Sequence, residues 1–128
     1  MPRKGSLGAA AYDLRAIRSI HLKPWKTVQI NLGFAISFPK HLYWQISGRS
    51  SLTKKQLLVP LGTLDADYQG EVKVQMLNAN NSACTIRKGQ RIAQLSIKQQ
   101  IPISWQQVSS FPTTTGRGVG AFGSTGRF

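Results

Sequence analysis

The sequence predicts an all-β fold, a sandwich or a barrel, and three observations lead to that prediction. Short segments alternate between apolar and polar residues, as half-buried strands do, and turn-forming residues separate them. No segment keeps the i, i+3, i+4, i+7 apolar spacing of an amphipathic helix for more than two turns. With 128 residues, of which 41% are hydrophobic, the chain has material for one domain with one core.

Six segments are predicted as strands. The clearest is 27–36, in which every second residue from Val28 to Phe34 is apolar. Segment 71–77 alternates in the same way, and 42–46 is rich in aromatic residues that favour strands. The shorter predicted strands are 84–86, 91–97 and 101–108, and the best candidate for a helix is 51–58.

The charge of the chain limits its partners. Seventeen Lys and Arg residues against four Asp and Glu residues give a net charge of +13. Such an excess favours anionic partners, so nucleic acid remains open as a partner, although the basic residues form no long run. The apolar runs are far shorter than the roughly 20 residues of a membrane span. We expect an intracellular protein that has no membrane partner, no secretory signal and, with one cysteine, no internal disulfide.

The few acidic residues are clustered. Asp65, Asp67 and Glu71 lie within seven residues, and Asp13 stands alone. A cluster of acids in a basic chain indicates a metal site or a general base beside an anion-binding surface. The alternative is a set of ion pairs that stabilises a basic surface.

The composition changes after Phe111, where five glycines fall between Gly116 and Gly126. We therefore predict a core at 1–110 and a Gly-rich C-terminal arm at 111–128. The arm is either a flexible tail or a phosphate-binding segment, because glycine amides, hydroxyl groups and an arginine all suit phosphate oxygens. An aromatic residue at Phe122 suits stacking on a base.

Five short segments form a recognisable series along the chain: AYDLRA (11–16), GRSSLT (48–53), GTLDADYQGE (62–71), GQRIAQL (89–95) and RGVGAFGSTG (117–126). In order and spacing they resemble the motifs of the trimeric deoxyuridine triphosphatases (dUTPases). The resemblance extends over roughly residues 6–126. Two departures are alanines, Ala11 and Ala121, where the family usually has glycine.

The resemblance implies a fold and an activity. The fold would be a distorted jelly-roll β-barrel in a homotrimer with shared active sites, with the C-terminal arm exchanged between subunits. The activity would be hydrolysis of dUTP to dUMP and pyrophosphate, with Mg²⁺ as the cofactor, which limits uracil in DNA and supplies dUMP. Asp65 would be the general base, and Asp13 the second catalytic residue, holding the metal through water.

The resemblance also implies substrate contacts. Tyr68 would lie beneath the deoxyribose and exclude a 2′-hydroxyl, and Phe122 would close over the base. Asp67 and Glu71 are expected to be structural, as hairpin or subunit-contact charges. The phosphate contacts would come from Arg49, Ser50, the amide of Ser51, Gln94, Arg117, Ser124 and Thr125. Backbone groups of the 62–71 hairpin would read uracil, and the substrate-binding residues would also include Gly62, Leu64, Asp65, Lys73 and Gly123.

Three other functions fit parts of the sequence. A dCTP deaminase would share the fold, but its catalytic glutamate falls where this chain has Gln75, which cannot transfer protons. A binding or regulatory module with a basic surface for nucleic acid would explain the charge, although its motifs should then have degenerated. A capsid-type jelly roll would not need Asp65, Tyr68 and the Gly-rich arm together.

Overall fold

The computed structural model describes residues 1–121, which contain ten strands and one short helix. The all-β prediction is confirmed. The strands are β1 (Arg3–Lys4), β2 (Tyr12–Arg15), β3 (Ile20–Leu22), β4 (Thr27–Asn31), β5 (Leu42–Ser47), β6 (Leu57–Leu58), β7 (Gly62–Leu64), β8 (Lys73–Asn78), β9 (Cys84–Ile86) and β10 (Arg91–Gln99), and the helix is α1 (Ser50–Thr53).

The strands form three antiparallel sheets around one core. The largest has the order β1-β2-β10-β5-β7, and the other two are β3-β9 and β4-β8-β6. The alternation seen in the sequence places one face of each strand inward, as in β8, where every second side chain is buried. The core takes side chains from all three sheets: Leu14, Ile30, Met76, Ile86 and Leu95 are each at most 2% exposed.

Two predicted boundaries were wrong for local reasons. The strand predicted at 27–36 ends at Asn31, because the chain turns at Gly33, whose φ of +74° suits glycine. The helix predicted at 51–58 is one turn, Ser50–Thr53, and β6 follows it at Leu57.

The strand predicted at 101–108 was also wrong. This segment follows β10 without pairing to any strand of residues 1–121. Its apolar side chains are exposed to solvent, at 77% for Ile101, 65% for Ile103 and 89% for Trp105. Apolar and polar residues do alternate in this segment, but within residues 1–121 no strand lies beside it to form a sheet. The division between core and arm at residue 110 stays a prediction.

Candidate functional site

One row of residues crosses the large sheet and forms the first half of the site. Asp13 on β2 is paired with Gln94 on β10, which is paired in turn with Ser47 on β5. Paired residues point to the same face of an antiparallel sheet, so these polar side chains share a surface. Gln94 Nε2 also donates to Gly48 O at 3.1 Å, which ties β10 to the chain after β5. We call the cleft here, of about 450 Å³, the phosphate half; among its lining residues are Asp13, Ser47, Arg49, Arg91, Gln94 and Lys98.

Two guanidinium groups hold the Asp13 carboxylate. Arg49 Nε lies 3.2 Å from Asp13 Oδ1, and Arg91 Nη1 lies 3.1 Å from Asp13 Oδ2. The Asp13 side chain is only 14% exposed, so water screens these contacts less than it would screen surface pairs. Arg49 uses Nε for this contact, which leaves both terminal nitrogens for an anion. Sequence reasoning missed Arg91, and the only available signal was its place in the segment that contains Gln94.

The start of α1 fixes the backbone of Arg49. The amides of Leu52 and Thr53 both donate to Arg49 O, at 2.9 and 3.0 Å, and the buried side chain of Leu52 anchors the turn to the core. Ser50 and Ser51 are the first residues of the helix, and amides in that position have no acceptor within the helix. They remain available to a phosphate oxygen beside Arg49.

The second half of the site surrounds β7. Asp65 follows this strand, is exposed, and lines a cleft of about 670 Å³ with Tyr43, Thr63 and Asp67. The turn after it is closed by the Tyr68 amide, which donates to Asp65 O at 3.1 Å. A smaller cleft of about 270 Å³ shares Thr63 with the first; Gly62, Leu64 and Lys73 line it. We call these two clefts together the nucleoside half.

Tyr68 is held by the hairpin that carries it. Its hydroxyl donates to Glu71 O at 2.9 Å, and its ring is 41% exposed. The ring covers Gly70 so closely that a Cβ on Gly70 would lie 2.9 Å from Tyr68 Cε2, with Cζ and the hydroxyl oxygen nearer still. Any other residue at position 70 would therefore push the ring out of place.

The Glu71 carboxylate holds two segments of the chain together. Its carboxylate accepts hydrogen bonds from the Gly33 amide at 2.6 Å and from Asn31 Nδ2 at 2.8 Å. These bonds tie the hairpin that carries Tyr68 to the turn that ends β4. Asp67 is exposed at the tip of the 65–68 turn.

The two halves lie far apart within one chain. In the large sheet β7 lies three strands away from β2, which carries Asp13. Gly62 on β7 is paired with Ile46, the residue before Ser47 on β5. Asp65 is three residues further along. At about 4.8 Å per strand and 3.3 Å per residue, roughly 15–20 Å separates Asp65 from Asp13.

The C-terminal arm is described as far as residue 121. Arg117 is exposed and its Nε donates to Gly120 O at 2.9 Å, so the described chain does not bring it to either half of the site. The predicted contacts Phe122, Gly123, Ser124 and Thr125 lie outside the described residues.

Other kinds of site find little support in residues 1–121. Burial raises the pKa of the Cys84 thiol, which disfavours the reactive thiolate form. Over the same residues, His, Cys, Asp and Glu side chains do not gather in threes as a protein-ligated metal would need. Within residues 1–121, no helix has the length and apolar character needed to cross a membrane.

Comparison with known proteins gives a consistent result. The family model for dUTPase matches residues 1–126. The chain is 37% identical over 123 residues to the deoxyuridine 5'-triphosphate nucleotidohydrolase of Leptospira interrogans, covering 92% of this chain and 85% of that protein. The dUTPase of Staphylococcus bacteriophage 80alpha, solved with dUpNHpp, superposes with a TM-score of 0.91 at 25% identity over 98% of this chain and 91% of that one.

A more distant solved structure shows the same fold. It is a dUTPase from phage phi11 of S. aureus, described with a structural Mg(II) ion. It superposes with a TM-score of 0.82 at 21% identity, covering 88% of this chain and 92% of that one.

Proposed function

The chain belongs to the dUTPase family, and on that premise we propose how its own residues carry out the family's reaction. The protein is a dUTP diphosphatase, which hydrolyses dUTP to dUMP and pyrophosphate. Its fold is the jelly roll of the dUTPases that it superposes on. Deamination of dCTP and loss of activity are not favoured, since its relatives are named nucleotidohydrolases.

The observation that carries the proposal is the Asp13–Arg49–Arg91 cluster beside Gln94. Three phosphates need cations and hydrogen-bond donors held in place before the reaction, because charge develops on their oxygens in the transition state. Arg49 supplies a fixed guanidinium and Gln94 an amide. Ser50 and Ser51 supply hydroxyl groups and the free amides of the first helical turn.

Asp65 is the proposed general base. Water attacks the α-phosphorus, its proton passes to the Asp65 carboxylate, and pyrophosphate leaves with the electrons of the broken P–O bond. Asp65 and Asp67 are the carboxylates that line the large cleft of the nucleoside half. Asp65 lies next to β7, whereas Asp67 is at the exposed tip of the turn, so Asp65 is the better placed.

The nucleoside half is proposed to select uracil and deoxyribose. Among the described strands β7 is the last of its sheet, so one edge of Gly62–Leu64 carries backbone N–H and C=O groups with no strand partner. Such an edge can read a base without side chains, as the resemblance implies. Tyr68, fixed by its bond to Glu71 O, forms a rigid wall against C2′ of the sugar.

The separation of the halves supports a homotrimer with shared sites. A base acts over about 3 Å, directly or through one water, and a triphosphate does not extend across the roughly 15–20 Å of sheet between Asp65 and Asp13. The complete site therefore needs Asp65 from one subunit and Arg49 from another. The exposed Ile101, Ile103 and Trp105 support the same conclusion, since a second copy could cover them by exchange of the arm.

The residues present fit Mg²⁺ held mainly by the substrate. A carboxylate has about four acceptor sites, and the two arginines occupy two of those on Asp13. The others can accept hydrogen bonds from metal-bound water, which Mg²⁺ readily retains. When bound, the ion would neutralise phosphate charge.

Pyrophosphate release from dUTP, dCTP, dTTP and UTP tests this function, with and without Mg²⁺. We expect rapid release from dUTP alone, and much slower release after chelation of the metal. Release from dCTP at a similar rate, or none from dUTP, would refute the proposal.

A further inference from the structure

A group of cations lies outside both halves of the site, at one end of the β3–β9 ribbon. The two strands pair from Ile20–Ile86 to Leu22–Cys84, so the chain entering β3 lies beside the chain leaving β9. The Lys88 amide donates to Ser19 Oγ at 3.2 Å, which fixes this neighbourhood. Its cations are Arg15, Arg18, Arg87 and Lys88, which we call the basic ribbon end.

Arg15 joins this group through a specific contact. Its Nη1 donates to Gly89 O at 2.9 Å, directly after Lys88. Arg15 is also paired across the sheet with Arg91 on β10, and like charges in that position repel each other. Arg91 forms an ion pair with Asp13, whereas neither of the two ion pairs found within residues 1–121 includes Arg15.

Within residues 1–121, no ion pair includes a cation of the basic ribbon end. All four of its cations are exposed. The acidic residues of the whole chain are at positions 13, 65, 67 and 71, so none falls within 15–23 or 83–90. The cations of such a surface repel one another and attract polyanions.

The polar character of the β3–β9 ribbon beside these cations favours nucleic acid over a membrane as the binding partner. Its outward residues are His21 and Thr85, which are paired and exposed. They are polar, and Ile17, 48% exposed, is the one large apolar side chain that segments 15–23 and 83–90 leave exposed, whereas a membrane-binding surface uses several such groups to insert. Arginine, lysine and hydroxyl side chains are the usual contacts to phosphate oxygens. We propose that the basic ribbon end binds the phosphate backbone of nucleic acid, without sequence preference and apart from the dUTP site.

The test is a titration of a uracil-free, fluorescein-labelled DNA duplex with the full-length protein, followed by anisotropy at several salt concentrations. The variant is Arg18→Ser/Lys88→Ser, and the matched control is Lys26→Ser/Lys54→Ser, which removes the same charge from exposed positions elsewhere. Each lost phosphate contact lowers the slope of log K against log salt by about 0.9. The variant should therefore lose about two units of slope and about tenfold or more in affinity, while the control keeps both.

Other readouts separate this proposal from the dUTPase activity. Both double variants should hydrolyse dUTP at the normal rate, and an excess of dUpNHpp should leave the duplex bound. An equal loss of affinity in variant and control would mean that only diffuse charge attracts DNA, and would overturn the proposal. So would binding to phosphatidylserine vesicles without binding to the duplex, or displacement of the duplex by dUpNHpp.

Discussion

Arg91 and Asp13 are joined by an ion pair of 3.1 Å on neighbouring strands of the large sheet, and the second oxygen of the same carboxylate contacts Arg49. Asp13 thus links the two guanidinium groups, and Arg91 helps to fix the position of Arg49 through it. Because the carboxylate is mostly buried, its orientation depends on both partners, and removing one leaves one of its two oxygens without its cation.

Arg91→Ala should therefore lower kcat/KM for dUTP by about tenfold or more, because the Arg49 guanidinium, which we propose binds phosphate, loses its fixed position. Arg91→Lys should recover part of the loss, since it restores the charge but not the fork of the guanidinium. Steady-state kinetics of both variants, beside Lys26→Ala as an exposed control, provide the measurement. A normal kcat/KM in Arg91→Ala would show that Arg49 alone fixes Asp13.

Asp65→Asn should retain nucleotide binding and lose turnover. The amide keeps the shape of the carboxylate but cannot take the proton of water, so kcat should fall about 10²-fold or more. Calorimetry with dUpNHpp measures binding separately from chemistry. If kcat stays near normal, the base is another residue, and Asp13 is the next candidate.

Tyr68 gives a prediction about the sugar. Tyr68→Ala should admit UTP while the preference for uracil over cytosine persists, because we propose that backbone groups, not this ring, read the base. Tyr68→Phe keeps the ring and loses only the bond to Glu71 O, so it should still exclude UTP. The measurement is the ratio of kcat/KM values for dUTP, UTP and dCTP. Loss of both preferences in Tyr68→Ala would show that the ring holds the hairpin rather than selecting the sugar.

Deleting residues 116–128 should abolish most turnover and leave stability nearly unchanged. The described part of this segment is almost wholly exposed, with Val119 fully so, so the core loses little packing. The family resemblance assigns the arm to the phosphates and to closure over substrate. Thermal melting and kcat measure the two effects. Equal protease cleavage of the arm with and without dUpNHpp would contradict closure.

The sequence predicts some features of this fold and not others, for physical reasons. Alternation is local, so strands such as β4 and β8 were predictable. The pairing of β10 with both β2 and β5 joins residues up to about 80 positions apart, and no local pattern encodes it. The segment 101–108 shows that alternation alone does not make a strand, since within residues 1–121 no strand pairs with it. Arg91 was missed because the chain has many basic residues, and only its place in the segment that contains Gln94 sets this arginine apart.

In the proposed trimer, each active site combines Asp65 from one subunit with Arg49 from another. Light scattering should first show a trimer, and an active monomer would already contradict the claim. Asp65→Asn and Arg49→Ala subunits, each nearly inactive, are then co-expressed and purified as mixed trimers. A matched mixture combines Arg49→Ala with Gln94→Ala, since both changes lie in the phosphate half.

With random assembly from equal amounts, about a quarter of the sites in the first mixture would unite an intact Asp65 with an intact Arg49 across a subunit boundary. Sites shared between subunits would give about a quarter of normal dUTP turnover in this first mixture and none above background in the matched mixture. Turnover at background in both mixtures would show that each chain completes its own site.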